Sequence, residues 1–294
     1  MFSFNFFSPI ERLRYEPFDV HDCTVDIKRD DLIHPVISGN KWRKLKYILE
    51  DARKSGRNHL VTFGGAWSNH LLATAAAAAT FGFKATGFVR GEAVGNPNTK
   101  LCQLFGMQLR YVTRDDYRNK QHLFFSHFGE DERAYFIDEG GASELALRGC
   151  AEIIDELAAD YDHIFCACGT GTTVAGLSMG LKQHNSVAKL HGVSVLAGGD
   201  FLLKDIKELY SAADNILMHT AYHFGGYAKT KAPLIDFVKS FVGATGILIE
   251  PVYTAKTLYA LKDLMENNYF EPGAKILVLH TGGLTGILGK LDVF

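Results

Sequence analysis

The chain has 294 residues, 47% of them hydrophobic, with 31 Lys and Arg against 33 Asp and Glu and a formal charge of −2. That length suits two domains, or one large α/β unit with a full core. A charge so near neutral, with no basic run and no interleaving of basic and aromatic residues, argues against nucleic acid or an anionic membrane as the main partner. No apolar run reaches membrane-spanning length. The opening "MFSFNFFSPIERLRYEPF" has no cationic start, long aliphatic core or small-residue cleavage site, so no signal peptide is expected. Five scattered cysteines (23, 102, 150, 166 and 168) read as a reduced, cytoplasmic protein. The "CAC" at 166–168 has the wrong spacing for a zinc knuckle, so no metal is expected there.

In chain order, "ISGNKWRKLKYILE" (37–50) comes first: a Gly-Asn pair gives way to a helical pattern. Lys41 and Lys44 fall on neighbouring parts of one helix face. "HLVTFGG" (59–65) reads as a buried strand ending in glycines. "SNHLLATAAAAATFG" (68–82) follows as a helix, capped by Ser68 or Asn69 and ended by Gly82. "KATGFVRG" (84–91) is the next strand. After the loop "EAVGNPN" come a helix, "TKLCQLFG", and a strand, "QLRYVT". "YDHIFCACGTGTTVAGLSMGLKQ" (161–183) repeats strand, Gly/Thr loop and helix. "KLHGVSVLAG", "ATGILIEPVY" and "AKILVLHTGG" read as three more strands. This alternation is the α/β signature, and the glycines gather at strand ends, where open parallel sheets bind ligands.

Four stretches carry candidate chemistry. In "CGTGTTVAGL", Gly169, Thr170, Gly171, Thr172 and Thr173 follow a strand and open a helix. Free N–H groups and the helix dipole favour an anion there, typically phosphate. The stretch is neither a P-loop nor G-x-G-x-x-G, and a plain strand-helix turn is the alternative. In "GGAWSNHLL", Ser68, Asn69 and His70 open another helix; without G-x-S-x-G a hydrolase elbow is disfavoured, and a simple N-cap is the other reading. The lysine pair reads either as a solvated basic face, which Arg43 and Lys46 would extend, or as one amine for a carbonyl and one for a phosphate. Tyr253 of "EPVYTAK" and Thr281 of "HTGG" fall at expected strand ends.

Together, "KRDDLIHPVISGNKWRKL", "GGAWSNH", "CGTGTT", "GGYAKT", "EPVYTAK" and "HTGG" stand in the order that resembles the 1-aminocyclopropane-1-carboxylate deaminase / D-cysteine desulfhydrase family, from about residue 28 to 284. The resemblance implies a two-domain α/β fold of the tryptophan synthase β-subunit type (fold type II), with pyridoxal 5'-phosphate in the cleft. It implies a large domain of 1–50 and 150–294 and a small one of 51–149. It also implies a homodimer acting on a small amino acid.

By the same resemblance, Lys41 would bind the cofactor's aldehyde as a Schiff base and, once freed, take the substrate's α-proton. Lys44 and the 169–173 loop would hold the phosphate, and Asn69 would contact the cofactor. Ser68 would sit by the substrate with Trp67 and His70. Tyr253 would lie against the pyridine ring, and Tyr227 would reach the substrate. In the cyclopropane deaminases, the positions of Thr254 and Thr281 resemble a glutamate and a leucine. Two hydroxyls here resemble the desulfhydrase branch, so D-cysteine is the expected substrate. The cyclopropane deaminase reaction, or a related substrate such as D-serine or β-chloro-D-alanine, is the alternative. A binding protein without turnover and a nucleotide-binding oxidoreductase are disfavoured, the first by the intact lysine, Ser68 and tyrosines, the second by the missing glycine fingerprint. Trp67, where the family more often has Gln, and the "LLATAAAAA" after His70 depart from the family pattern.

Overall fold

The computed structural model describes residues 7–210 and 215–294. β1 (Ile10–Arg12) pairs antiparallel with β2 (Thr24–Lys28). Helix α1 (Asn40–Lys54) then leads into β3 (His59–Gly65), α2 (Asn69–Phe81), β4 (Lys84–Arg90), α3 (Pro97–Leu104), β5 (Gln108–Val112), α4 (Lys120–Phe128) and β6 (Ala134–Ile137). Helix α5 (Glu144–Asp155) returns to β7 (His163–Cys168), α6 (Thr172–Gln183), β8 (Lys189–Ser194), α7 (Phe201–Tyr210) and β9 (Ile216–His219). Helices α8 (Ala232–Thr245) and α9 (Thr254–Glu266), then β10 (Lys275–Leu279), complete the regular elements.

The strands form two sheets. One has the order β1-β2-β10-β7-β8-β9, parallel except at β1; the other is β5-β4-β3-β6, parallel throughout. Parallel strands need helical crossovers, which cover the sheets and bury the strands. Accordingly β7 is buried at all six positions, Cys166 and Cys168 included, and all five cysteines are free. Among the described residues no helix is long and apolar enough to cross a membrane.

Helix α2 runs where the sequence places it. Ser68 Oγ accepts the Leu71 N–H, and Gly82 ends the helix in the left-handed conformation. Ala73 and Ala75 to Ala78 are buried because the helix lies inside the small sheet's core with Trp42, Leu45 and Leu49 of α1. A helix apolar all round is a buried one.

Two expectations fail. The stretch 244–253 is not a strand: its first residues end α8, Gly246 caps that helix at φ +70°, and 247–250 run extended outside either sheet. Ile247 and Ile249 are buried there while Leu248 is exposed, which is the strand-like alternation without a ladder. The face carrying Arg43 is not a solvated basic one. Arg43 is buried on Asp30 (Nη2–Oδ1 2.8 Å) and Glu156, and Glu156 also takes Lys28 (2.8 Å).

Candidate active site

A cavity of about 610 Å³ opens where the two sheets' carboxyl ends meet. The segments after β3, β5, β6, β7, β8 and β10 and the last residue of β4 all supply lining residues. The first turn of α1 and the start of α9 complete the wall.

Gly39 explains how α1 enters. It holds φ +62°, ψ −142°, and a Cβ there would lie 1.9 Å from the Thr281 carbonyl oxygen. That backbone region is essentially glycine-only. The Asn40 N–H consequently donates to Thr281 O at 3.2 Å, so α1 starts on the end of β10. Lys41 and Lys44 then both line the cavity. Lys41 Nζ donates to Asn40 Oδ1 (2.8 Å), and Asn40 Nδ2 donates to Thr173 Oγ1 (3.0 Å). Burial first, and the Lys44 ammonium second, bring Lys41 down to about 7. Lys44 donates to Gly140 O (3.1 Å) and is lowered by burial.

Gly169, Thr170, Gly171 and Thr173 line the cavity between β7 and α6. Thr172 is fully buried behind them, its hydroxyl 3.3 Å from that of Thr170. The loop has no room for side chains: a Cβ on Gly169 would meet Tyr253 Cε1 at 3.2 Å, and one on Gly171, at φ +82°, would meet Ile206 at 2.7 Å. A bare backbone at a helix start beside a buried ammonium fits a phosphate.

The 66–70 turn faces this loop. Asn98 Nδ2 donates to Ala66 O (3.1 Å) and Ser68 O (3.3 Å), and Asn96 Nδ2 donates to Ala66 O (3.2 Å), so the start of α3 pins the turn. Asn69 lies against Gly283, and Trp67, 40% exposed, packs on the backbone of Gly289. His70 is buried. Thr62 Oγ1 donates to Ile137 O (3.0 Å), so it accepts from His70 Nε2 (2.8 Å). That fixes the tautomer and leaves Nδ1 as a buried acceptor without a partner. Burial, then Lys41 and Lys44, keep His70 neutral.

Tyr253 is not at a strand end but at the N-cap of α9. Its ring meets that of Tyr227 edge-on at 6.0 Å, and burial followed by that phenol pushes it well above its usual range. Tyr227 is 46% exposed at the cavity's edge. Thr281 lines the cavity; Thr254 is buried next to Tyr253, outside the lining, with its Oγ1 unpartnered.

Sequence reasoning passed over Glu250. Its buried carboxylate accepts the N–H groups of Val252 (2.7 Å), Tyr253 (2.9 Å) and Thr254 (2.7 Å), while burial raises it to about 7. It also passed over Asn40, Asn96, Asn98, Arg90, Arg114 and Glu139. The strand-end rule, applied to β4, β5 and β6, would have found the last three.

A family model described as "Pyridoxal-phosphate dependent enzyme" matches residues 7–282. A Pyrococcus horikoshii protein described as "Putative 1-aminocyclopropane-1-carboxylate deaminase" is 33% identical over 89% of this chain and 85% of its own length. An Arabidopsis thaliana protein described as "Bifunctional D-cysteine desulfhydrase/1-aminocyclopropane-1-carboxylate deaminase, mitochondrial" is 29% identical over 90% of this chain and 74% of its own. A crystal structure of an "ACC deaminase homologue" superposes with a TM-score of 0.83 at 31% identity, covering 97% of this chain and 92% of that one. The match along nearly the whole chain agrees with the glycine cradle and its buried amines: the chain belongs to the pyridoxal-phosphate dependent enzymes, on the fold type II scaffold of its deaminase and desulfhydrase relatives, with pyridoxal 5'-phosphate as its cofactor.

Proposed function

We propose that this chain is a lyase that removes the β-substituent of a small amino acid, D-cysteine first, giving pyruvate, ammonia and sulfide. The observation that carries the reading is Lys41, an amine brought to about 7 beside Lys44 at the head of the glycine loop. A neutral amine at ordinary pH is the form that condenses with a carbonyl. Lys41 would hold the cofactor by its aldehyde carbon, and its amine, when free, would be the base for the substrate's α-proton. Lys44, with the N–H groups of 169–173, holds the phosphate. Bound there, pyridoxal phosphate supplies the electron sink for charge at the substrate's α-carbon.

The substrate carboxylate falls to Ser68, Asn69 and the first N–H groups of α2. Tyr253 and Tyr227 cover the opposite side, and Tyr253, held protonated, is a donor rather than a base. Trp67 at the edge narrows the space left for a side chain. The proposed division places 1–50 and 150–294 in the large domain and 51–149 in the small one, and the assembly is a homodimer.

Thr281, which lines the cavity, supports the desulfhydrase branch, and Thr254, outside the lining, supports it by its place in the sequence pattern alone. A carboxylate near the pyridine nitrogen keeps it protonated, whereas a hydroxyl need not, and opening a cyclopropane asks more of the ring. The second reading is the cyclopropane deaminase, favoured by the description of the Pyrococcus horikoshii relative. The test is to offer D-cysteine, L-cysteine and 1-aminocyclopropane-1-carboxylate to the cofactor-loaded protein. Pyruvate with sulfide from D-cysteine alone is expected; 2-oxobutyrate from the cyclopropane substrate would establish the second reading instead.

A further inference from the structure

Among the described lining residues, four basic side chains line the cavity, Lys41, Lys44, Arg90 and Arg114, against one carboxylate, Glu139. The proposed function uses both lysines and places the substrate's α-carboxylate on the 68–70 turn. It leaves the two arginines without a task. Arg90 ends β4 and Arg114 lies two residues beyond the end of β5, and Arg90 pairs in register with Val112, so both stand at the same end of adjacent strands. Both are exposed, so they form the mouth above the buried lysines.

Arg90 is held in place. Its guanidinium carbon lies 5.4 Å from the centre of the Tyr117 ring, and its Nη2 lies 3.9 Å from where a Gly65 Cβ would be, on the approach to Ser68. Glu139 does not neutralise the pair, since its ion-pair partner is Lys120 at 3.4 Å. Two guanidiniums at a cavity mouth raise the local concentration of anions, and each presents a fork that matches a carboxylate, sulfonate or phosphate.

We infer that Arg90 and Arg114 are specificity-determining residues that favour substrates whose β-substituent carries a second anionic group. This rests on the lyase reading and ranks such substrates above D-cysteine within it. In such a substrate the bond from the β-carbon to the heteroatom breaks as the α-proton leaves. The anionic group departs with the electron pair, and water completes the release of pyruvate and ammonia.

The test compares aspartate with asparagine, as both enantiomers, by calorimetric binding to the cofactor-loaded wild type, Arg90→Gln and Arg114→Gln. The two ligands have nearly the same shape, differ in one charge, and have no leaving group on the β-carbon. Pyruvate release from β-chloroalanine is followed in parallel. Wild type is expected to bind one enantiomer of aspartate about tenfold more tightly than asparagine, and each variant to lose most of that ratio. A wild-type ratio near one, or a ratio that neither variant moves, overturns the inference. Absence of pyruvate with the ratio intact overturns the lyase and leaves the anion preference standing. Pyruvate with a ratio near one does the reverse.

Discussion

Lys256 Nζ donates to the carbonyl of Gly226 at 2.9 Å, one residue before Tyr227, and to that of His223 at 2.8 Å. The amine is buried, and burial lowers it to about 8 while Glu250 raises it. One turn of α9 therefore fixes both tyrosines of the site: Lys256 holds the segment leading to Tyr227, and Glu250 caps the turn that carries Tyr253.

Lys256→Met removes the donor and leaves the carbonyls of His223 and Gly226 without it. We expect a stability loss of roughly 1–3 kcal/mol. Cofactor absorbance should persist while kcat falls, because Lys41, Lys44 and the glycine loop are untouched. Denaturant unfolding and steady-state kinetics on the same sample check this; loss of the cofactor together with activity would remove Lys256 from the role of positioning Tyr227.

Cofactor loading should report the Lys41 amine directly. Its neutral form predominates above about pH 7, where an ordinary lysine would need pH above about 10. The rate at which cofactor-free protein develops its visible absorbance is expected to rise through pH 7 and level off by about pH 8. A rate still climbing at pH 9 would show an ordinary lysine. Lys41→Ala should abolish the band.

Gly39→Ala tests the entry into α1. The positive φ costs an alanine roughly 1–3 kcal/mol, and the 1.9 Å approach to Thr281 O forces the helix start away from β10. Slower cofactor loading and a lower thermal midpoint are expected together. Gly56, at φ +72° with nothing near its Cβ position, is the control: alanine there should lower the midpoint and leave loading unchanged.

Acid should weaken the fold through histidine. His163 Nδ1 and His191 Nε2 are 2.9 Å apart, and His191 Nδ1 and His219 Nε2 are 2.8 Å apart, so three imidazoles form a line across β7, β8 and β9. Burial lowers all three, His191 to about 2. Below pH 6.5 the unfolded chain takes up protons that the folded one refuses: His191, held neutral far below that pH, removes about 1.4 kcal/mol per pH unit, and His163 and His219 act in the same direction. Glu250, raised to about 7, acts oppositely between pH 4.5 and 7, but it is one group against three. The urea midpoint is expected to fall from pH 7 to pH 5; a rise would contradict the assignment.

The site was legible where a glycine-rich turn joins a strand to a helix. There local sequence carries its own geometry, so β3 with α2 and β7 with α6 fall where the spacing puts them. What escaped depends on contacts that only the folded chain makes, distant in sequence for Asn40 and local for Glu250. Asn40 matters because Thr173 is opposite, and Glu250 because its own turn folds three N–H groups onto it. The alternation at 247–249 reads as a strand because burial repeats every second residue whether or not a ladder forms. The buried Arg43 reads as solvent-facing until Asp30 and Glu156 are in view.

The seam between Gly39 and Thr281 sets an order on biosynthesis. β2 pairs with β10, and α1 begins against the residue two places beyond β10, so the segments meeting beside Lys41 are about 240 residues apart in the chain. A nascent polypeptide lacking residues 275–283 has Lys41 and the glycine loop already translated but not yet joined. Such a chain lacks the Thr281 carbonyl on which α1 starts, so the first turn of that helix gains its anchor only when β2 and β10 have met.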